Sequence, residues 1–210
     1  MFLITLGFIL SVACAFLFGV IQKCQAFEIS VTPVHYILQA ENYGQSEGFL
    51  LGLGGDLKVS LSYEGIIGRF VGQEAVKIDL YGLQVAKKFS LINGFSLETG
   101  LGYYMPKWQE TKAFREAMWL EVNGIYGDHS YFDPDHYEYR LFANIGGFVN
   151  LEYEGSIWKN LSVRGIAGYR FLNLHENIRR IQPQSNSYVE FGRDRDFSGG
   201  FVGLGLEWRF

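Results

Sequence analysis

Cysteine is nearly absent from this chain: among 210 residues only Cys14 and Cys24 are cysteines, both close to the N-terminus. Removal of that stretch would leave no disulfide, no thiolate-bound zinc and no thiol nucleophile. Proline is scarce at 4 residues, and charged residues make up only 19%. So little charge beside 17% aromatics excludes a disordered chain, which would be rich in charge and poor in rings. A basic excess is missing too. The net charge is −4, the wrong sign for a protein that binds nucleic acid. The sequence also lacks a phosphate loop, an HExxH and a Gly-x-Ser-x-Gly. Glycine, by contrast, is plentiful at 26 residues, with 18 Phe and 13 Tyr. Each glycine inside a helix costs about 1 kcal/mol relative to Ala. The composition therefore argues against a helical bundle and for many strands joined by tight turns.

Residues 2–22 carry no charge, and the first charged side chain is Lys23. Such a run fits either a cleaved export signal or a single membrane-spanning helix, for which about 20 apolar residues suffice. Cys24-Gln25-Ala26 supplies the small-x-small cleavage site of a signal, although no Lys or Arg precedes the apolar run. The organisation read here is a signal peptide over 1–26 and one domain over 27–210. Losing Lys23 moves the formal charge from −4 to −5, and both cysteines leave with the signal.

The remainder alternates with period two. Along 136–153, Tyr137, Tyr139, Leu141, Ala143, Ile145, Gly147, Val149, Leu151 and Tyr153 share one face, against Glu138, Arg140, Phe142, Asn144, Gly146, Phe148, Asn150 and Glu152. Side chains alternate across a strand, so this is one long strand with an apolar face that begins and ends in Tyr. Rings at both ends of an apolar band mark a strand that crosses a membrane. The pattern recurs at 57–63, 95–103, 161–171 and 201–210, where the polar sets mix Gly with charges of both signs. A soluble barrel would show water a face rich in Lys, Glu, Thr and Asp. Here that face holds Gly and some Phe, as an enclosed interior does. Glycine makes room there, and carboxylates pair with guanidinium groups.

Strands are predicted over 28–40, 47–53, 57–70, 75–89, 95–105, 136–153, 160–172 and 198–210. Asn93-Gly94 forms a hairpin turn, and a bulge is expected at Gly82, where the apolar phase changes. Two long loops, 106–135 and 173–197, lie opposite the termini. The fold class is thus all-β: an eight-stranded antiparallel transmembrane up-and-down β-barrel after an N-terminal signal peptide. Glu138, Arg140, Glu152, Arg164 and Arg170 are expected inside the barrel, with Glu152 and Arg164 paired.

The ending Gly203-Leu204-Gly205-Leu206-Glu207-Trp208-Arg209-Phe210 resembles the terminal strand of bacterial outer-membrane barrels. Residues 95–103 and 163–170 resemble strands of small OmpA/OmpX-like barrels. The resemblance implies a Gram-negative outer-membrane location, contact with outer-membrane lipids and lipopolysaccharide, and a monomer. It also implies an assembly signal at Trp208 and Phe210, read by the barrel-assembly machinery. It specifies architecture rather than activity.

Chemistry is sparse. The densest polar cluster, 127–136, contains Asp128, His129, Ser130, Asp133 and His136. Oxygen-rich loops can hold Ca²⁺, and Ser, His and Asp are triad residue types. Without a defined spacing, the cluster reads first as a solvated loop built from turn-forming Asp and Pro. Residues 111–122 form the one helical candidate, with Phe114, Met118 and Val122 on one face. No catalytic residue, cofactor or metal is assigned. Two functions follow. One is a barrel with a structural or surface-interaction role, closed because eight strands leave room only for side chains. The other is a barrel enzyme acting on lipid A or phospholipid through His129, His136 or His175.

Overall fold

The computed structural model describes residues 27–40, 43–70, 73–112, 114, 115, 137–182 and 187–210. Residues 1–26, the polar cluster at 127–136 and most of the helical candidate lie outside them. A helical turn does open at Lys112, Phe114 and Arg115, where the Thr111 hydroxyl accepts from the Phe114 N–H at 3.3 Å.

Among the described residues eleven strands run β1 (Glu28–Leu38), β2 (Gln45–Gly54), β3 (Leu57–Phe70), β4 (Gln73–Ser90), β5 (Phe95–Glu110), β6 (Tyr137–Leu141), β7 (Asn144–Trp158), β8 (Leu161–Phe171), β9 (Asn173–Gln182), β10 (Ser187–Asp196) and β11 (Gly199–Arg209). Eight of them close a barrel in the order β1-β11-β8-β7-β5-β4-β3-β2, and β10-β9-β6 form a separate three-stranded sheet. Closure abolishes both sheet edges. Stepping from Glu28 through its partners Gly54, Lys58, Ala86, Gly100, Phe148, Arg170 and Gly199 returns to β1 at Leu38. The circuit therefore climbs ten residues (38 minus 28), a stagger that tilts eight strands by about 40°.

Burial alternates residue by residue. On β1, Glu28, Ser30, Thr32, Val34, Tyr36 and Leu38 face in. The outward set is apolar and open, including Val31, Leu61, Leu101, Ile145 and Leu204, the last 69% exposed. An exposed apolar belt around a polar interior is the reverse of a soluble barrel and the pattern of a lipid-facing one. Rings border it. Phe95 packs on Tyr153 at the end holding the termini, and Tyr63 packs between Phe49 and Tyr81 toward the other end.

Three expectations change. The strand over 136–153 is two strands. Past Leu141 the Phe142 N–H donates to His175 O at 2.9 Å, and Asn144 bonds the Ile145 N–H and Asn173 O. The chain bends there and its faces exchange. Tyr139 and Leu141 point into the small sheet's core, whereas on β7 it is Phe148, Asn150 and Glu152 that point inward. The predicted loop 173–197 is largely the β9–β10 hairpin, register-paired from Asn173↔Asp196 to Gln182↔Ser187. Finally, β4 shows no bulge at Gly82, which pairs with Ser62 and Tyr104 in unbroken register; the irregularity lies at Gly68/Arg69. The phase change at Gly82 reflects surroundings instead. Beyond it Val76, Ile78 and Leu80 face an apolar core inside the barrel mouth, while Leu83 and Val85 below it face outward.

Candidate functional site

Charge inside the barrel is stacked in tiers. The lowest, near the termini, gathers four cations around five carboxylates. Arg164 reaches Glu152 at 2.6 Å, Glu98 at 3.3 Å and the Thr32 hydroxyl at 3.2 Å. Lys58 lies 3.5 Å from Glu98, 3.7 Å from Glu152 and 3.9 Å from Glu207. Lys88 donates to Glu152 at 2.7 Å and stands 3.8 Å from both Glu28 and Glu154. Arg209 donates to Glu28 at 2.9 Å and also pairs with Glu154. Four against five leaves one formal negative charge. Alternation places every one of these groups: each sits on the inward parity of its strand, and the sheet wraps them into one cross-section.

Above this tier Arg170 pairs with Glu64, which also accepts from the Ser46 hydroxyl. The guanidinium lies 4.7 Å from the Tyr36 ring centre and 5.6 Å from that of Tyr104, and it donates to Phe197 O at 3.1 Å. The two rings fit because Gly102 and Gly82 flank Tyr104; a Cβ on Gly102 would stand 2.9 Å from that ring. Between the two tiers the interior leaves a void of about 10 Å³, bordered by Ser60, Gln84, Asn150 and Phe148. That is room for about one water.

The small sheet caps the mouth. Glu176 is fully buried and accepts from the Tyr139 hydroxyl at 2.9 Å, from Arg195 at 2.8 and 2.9 Å, and from Arg193. Phe114 meets Tyr139 edge-on at 4.9 Å, and Tyr43 packs on Phe197 at 5.0 Å. Burial alone would raise the Glu176 carboxyl, but the hydrogen bonds and charges of Arg195 and Arg193 outweigh it and hold it below the usual carboxylate range. Burial pushes the Tyr43 hydroxyl up to about 12.

Of the residues expected inside, Glu152, Arg164 and Arg170 are buried in the barrel. Glu138 and Arg140 are not inside it. They stand on the exposed face of β6, paired with each other at 2.7 Å, because the bend at 142–144 exchanged the faces. Trp208 and Phe210 face outward on and just after β11, and Phe210 lies 6.3 Å from Phe27 across the closing seam. Lys58 and Glu98 belong to the polar sets of 57–63 and 95–103, but their partners were not legible, and Lys88 and Glu64 were not singled out. Which carboxylate meets which cation depends on the ten-residue stagger, and no single strand's sequence carries that.

The two described histidines, His35 and His175, do not form a centre. His35 is half-buried on the outward face of β1. His175 bonds Asp194 at 2.9 Å as an exposed cross-strand pair. His129 and His136 lie outside the described residues. Among the described residues, no group of three or more His, Asp or Glu could hold a metal.

No protein-family model matches the sequence, and no curated protein is detectably similar to it. Solved structures are. The outer membrane protein OprG from Pseudomonas aeruginosa superposes with TM-score 0.58 at 9% identity, over 88% of this chain and 95% of that one. Neisserial surface protein A gives TM-score 0.46 at 13% identity, over 89% and 100% of the two chains. Ail of Yersinia pestis gives 0.42 at 14%, over 88% and 98%. The likeness to OprG shows the fold: this chain is a closed eight-stranded antiparallel barrel of the small outer-membrane type.

Proposed function

We propose that the protein is exported, cleaved after Ala26 and inserted in a Gram-negative-type outer membrane as a monomeric barrel. Its role there is structural or surface-interacting rather than that of an open pore. The observation that carries the reading is the packing of the interior among the described residues: two charged tiers with a void of about 10 Å³ between them, and aromatic side chains above. Hydrated ions need a continuous aqueous path, which wider barrels provide and eight strands do not. The capping sheet projects the chain beyond the apolar belt, where a surface contact would be made.

In planar lipid bilayers the purified, folded protein should give no stepwise ion conductance. Regular current steps would overturn the closed-barrel reading. Outer-membrane fractions should contain a mature chain beginning at Phe27, checked by N-terminal sequencing; retention of Met1 would replace the cleaved signal with an anchor.

A further inference from the structure

On the outward face of β2, β3, β4 and β5, rings and aliphatic side chains frame a depression of about 420 Å³, walled by Phe49, Leu61, Tyr63, Tyr81, Leu83 and Met105. Its surface is almost wholly apolar, and it lies in the half of the belt nearest the capping sheet. Tyr63 closes its upper end: its hydroxyl donates to Asp79 at 2.9 Å, and its ring lies 5.6 Å from Phe49 and 5.5 Å from Tyr81.

Directly above stand two lysines on neighbouring strands. Lys107 is opposite Asp79 in the β4–β5 register, and Lys77 is two residues along β4 from Asp79. Both are exposed, and neither forms an ion pair with a described residue. Asp79 stands between them, and the Tyr63 hydroxyl already bonds it. On the small sheet across the mouth the arginines are paired, Arg140 with Glu138, and Arg193 and Arg195 with Glu176. Lysine charge outside any ion pair, set over an apolar slot, complements an amphiphile whose anion sits just beyond its hydrocarbon. Juxtamembrane lysines attract such anionic headgroups, and a lysine can bury its stem while its charge reaches the interface.

The geometry points to a lipid site. The β2–β5 face holds a phosphorylated, acylated lipid of the outer leaflet, with an acyl chain in the Phe49–Tyr81–Met105 slot and the phosphate between Lys77 and Lys107. This rests on the membrane reading above and goes beyond it by naming the ligand chemistry and the face.

The test uses full-length barrels in nanodiscs, with bound lipid counted by native mass spectrometry. The probes are a bis-phosphorylated, multiply acylated glucosamine disaccharide and its dephosphorylated form. The double variant Lys77→Gln/Lys107→Gln should hold the phosphorylated lipid about thirtyfold more weakly, at the attraction typical of each surface lysine. Binding of the dephosphorylated lipid should not change. Lys159→Gln, in the turn at the other end, should match the wild type. Leu83→Trp, which fills the slot and keeps both lysines, should weaken retention of both lipids. Equal retention by the double variant and the wild type would overturn the site. So would full competition by millimolar inorganic phosphate, which would mark a site for the free anion. Heat-modifiable migration of every variant reports the barrel separately: barrels that fold and enter nanodiscs yet fail to discriminate lipids sink this site alone, whereas failure of the wild type to enter nanodiscs sinks the membrane reading itself.

Discussion

Arg164 is the residue on which the lowest tier turns. It is 2% exposed and touches Glu152, Glu98 and Thr32 together. Removing one partner of a buried ion pair leaves an uncompensated charge and costs roughly 3–5 kcal/mol. In this tier carboxylates already outnumber cations, so Arg164→Met should be destabilising in full. We expect its urea midpoint in lipid vesicles to fall, and Arg164→Met/Glu152→Leu, which removes both charges, to recover most of the loss. A double variant no better than the single one would show that the pair is not the unit of stability. Glu176 makes the complementary case outside the belt. Its folded-state value is depressed, so its stabilisation is complete above the ordinary glutamate value of about 4.3 and is lost as pH falls through the folded value. Below about pH 4 the capping hairpin should exchange its amide hydrogens faster while the barrel strands stay protected. Uniform exchange across both regions would contradict this.

At the scale of the element, Asn93-Gly94 was readable because the turn's chemistry is local. Both residues have positive φ, 52° and 81°, and the Phe95 N–H closes on Ile92 O at 3.0 Å. Strands β3, β5, β8 and β11 were readable for a related reason, since a lipid-facing parity forces alternation where they cross the belt. The bend at 142–144 and the β9–β10 hairpin were not. A strand that leaves the belt keeps alternating, but its apolar side turns inward, and Glu176 occupies a position where an apolar residue would have marked the core face. Period alone cannot separate those two environments. Element β11 carries the assembly proposal. Deleting Phe210 removes its packing against Phe27 and the outward aromatic terminus. The truncated protein should reach the outer membrane at a fraction of the wild-type level, while Asp128→Ala/His129→Ala/Asp133→Ala inserts normally. Equal heat-modifiable bands for truncated and intact protein would remove the assembly role from Phe210.

For the whole molecule, the seam between β1 and β11 is one more antiparallel pair among eight, with Glu28 opposite Arg209 and the rings of Phe27 and Phe210 6.3 Å apart. Thermodynamically, then, the barrel is a ring without a privileged starting point. A chain whose order is rotated, with residue 210 linked to residue 27 by a few glycines and new ends cut between Asn93 and Gly94, retains every inter-strand pairing and every tier of charge. It should refold in detergent to a heat-modifiable barrel. In a cell the same rotated chain would present β4 last, ending in Leu91-Ile92-Asn93 instead of Glu207-Trp208-Arg209-Phe210. Its yield in the membrane, set beside its yield in detergent, separates what the ring needs in order to be stable from what a cell needs in order to recognise it.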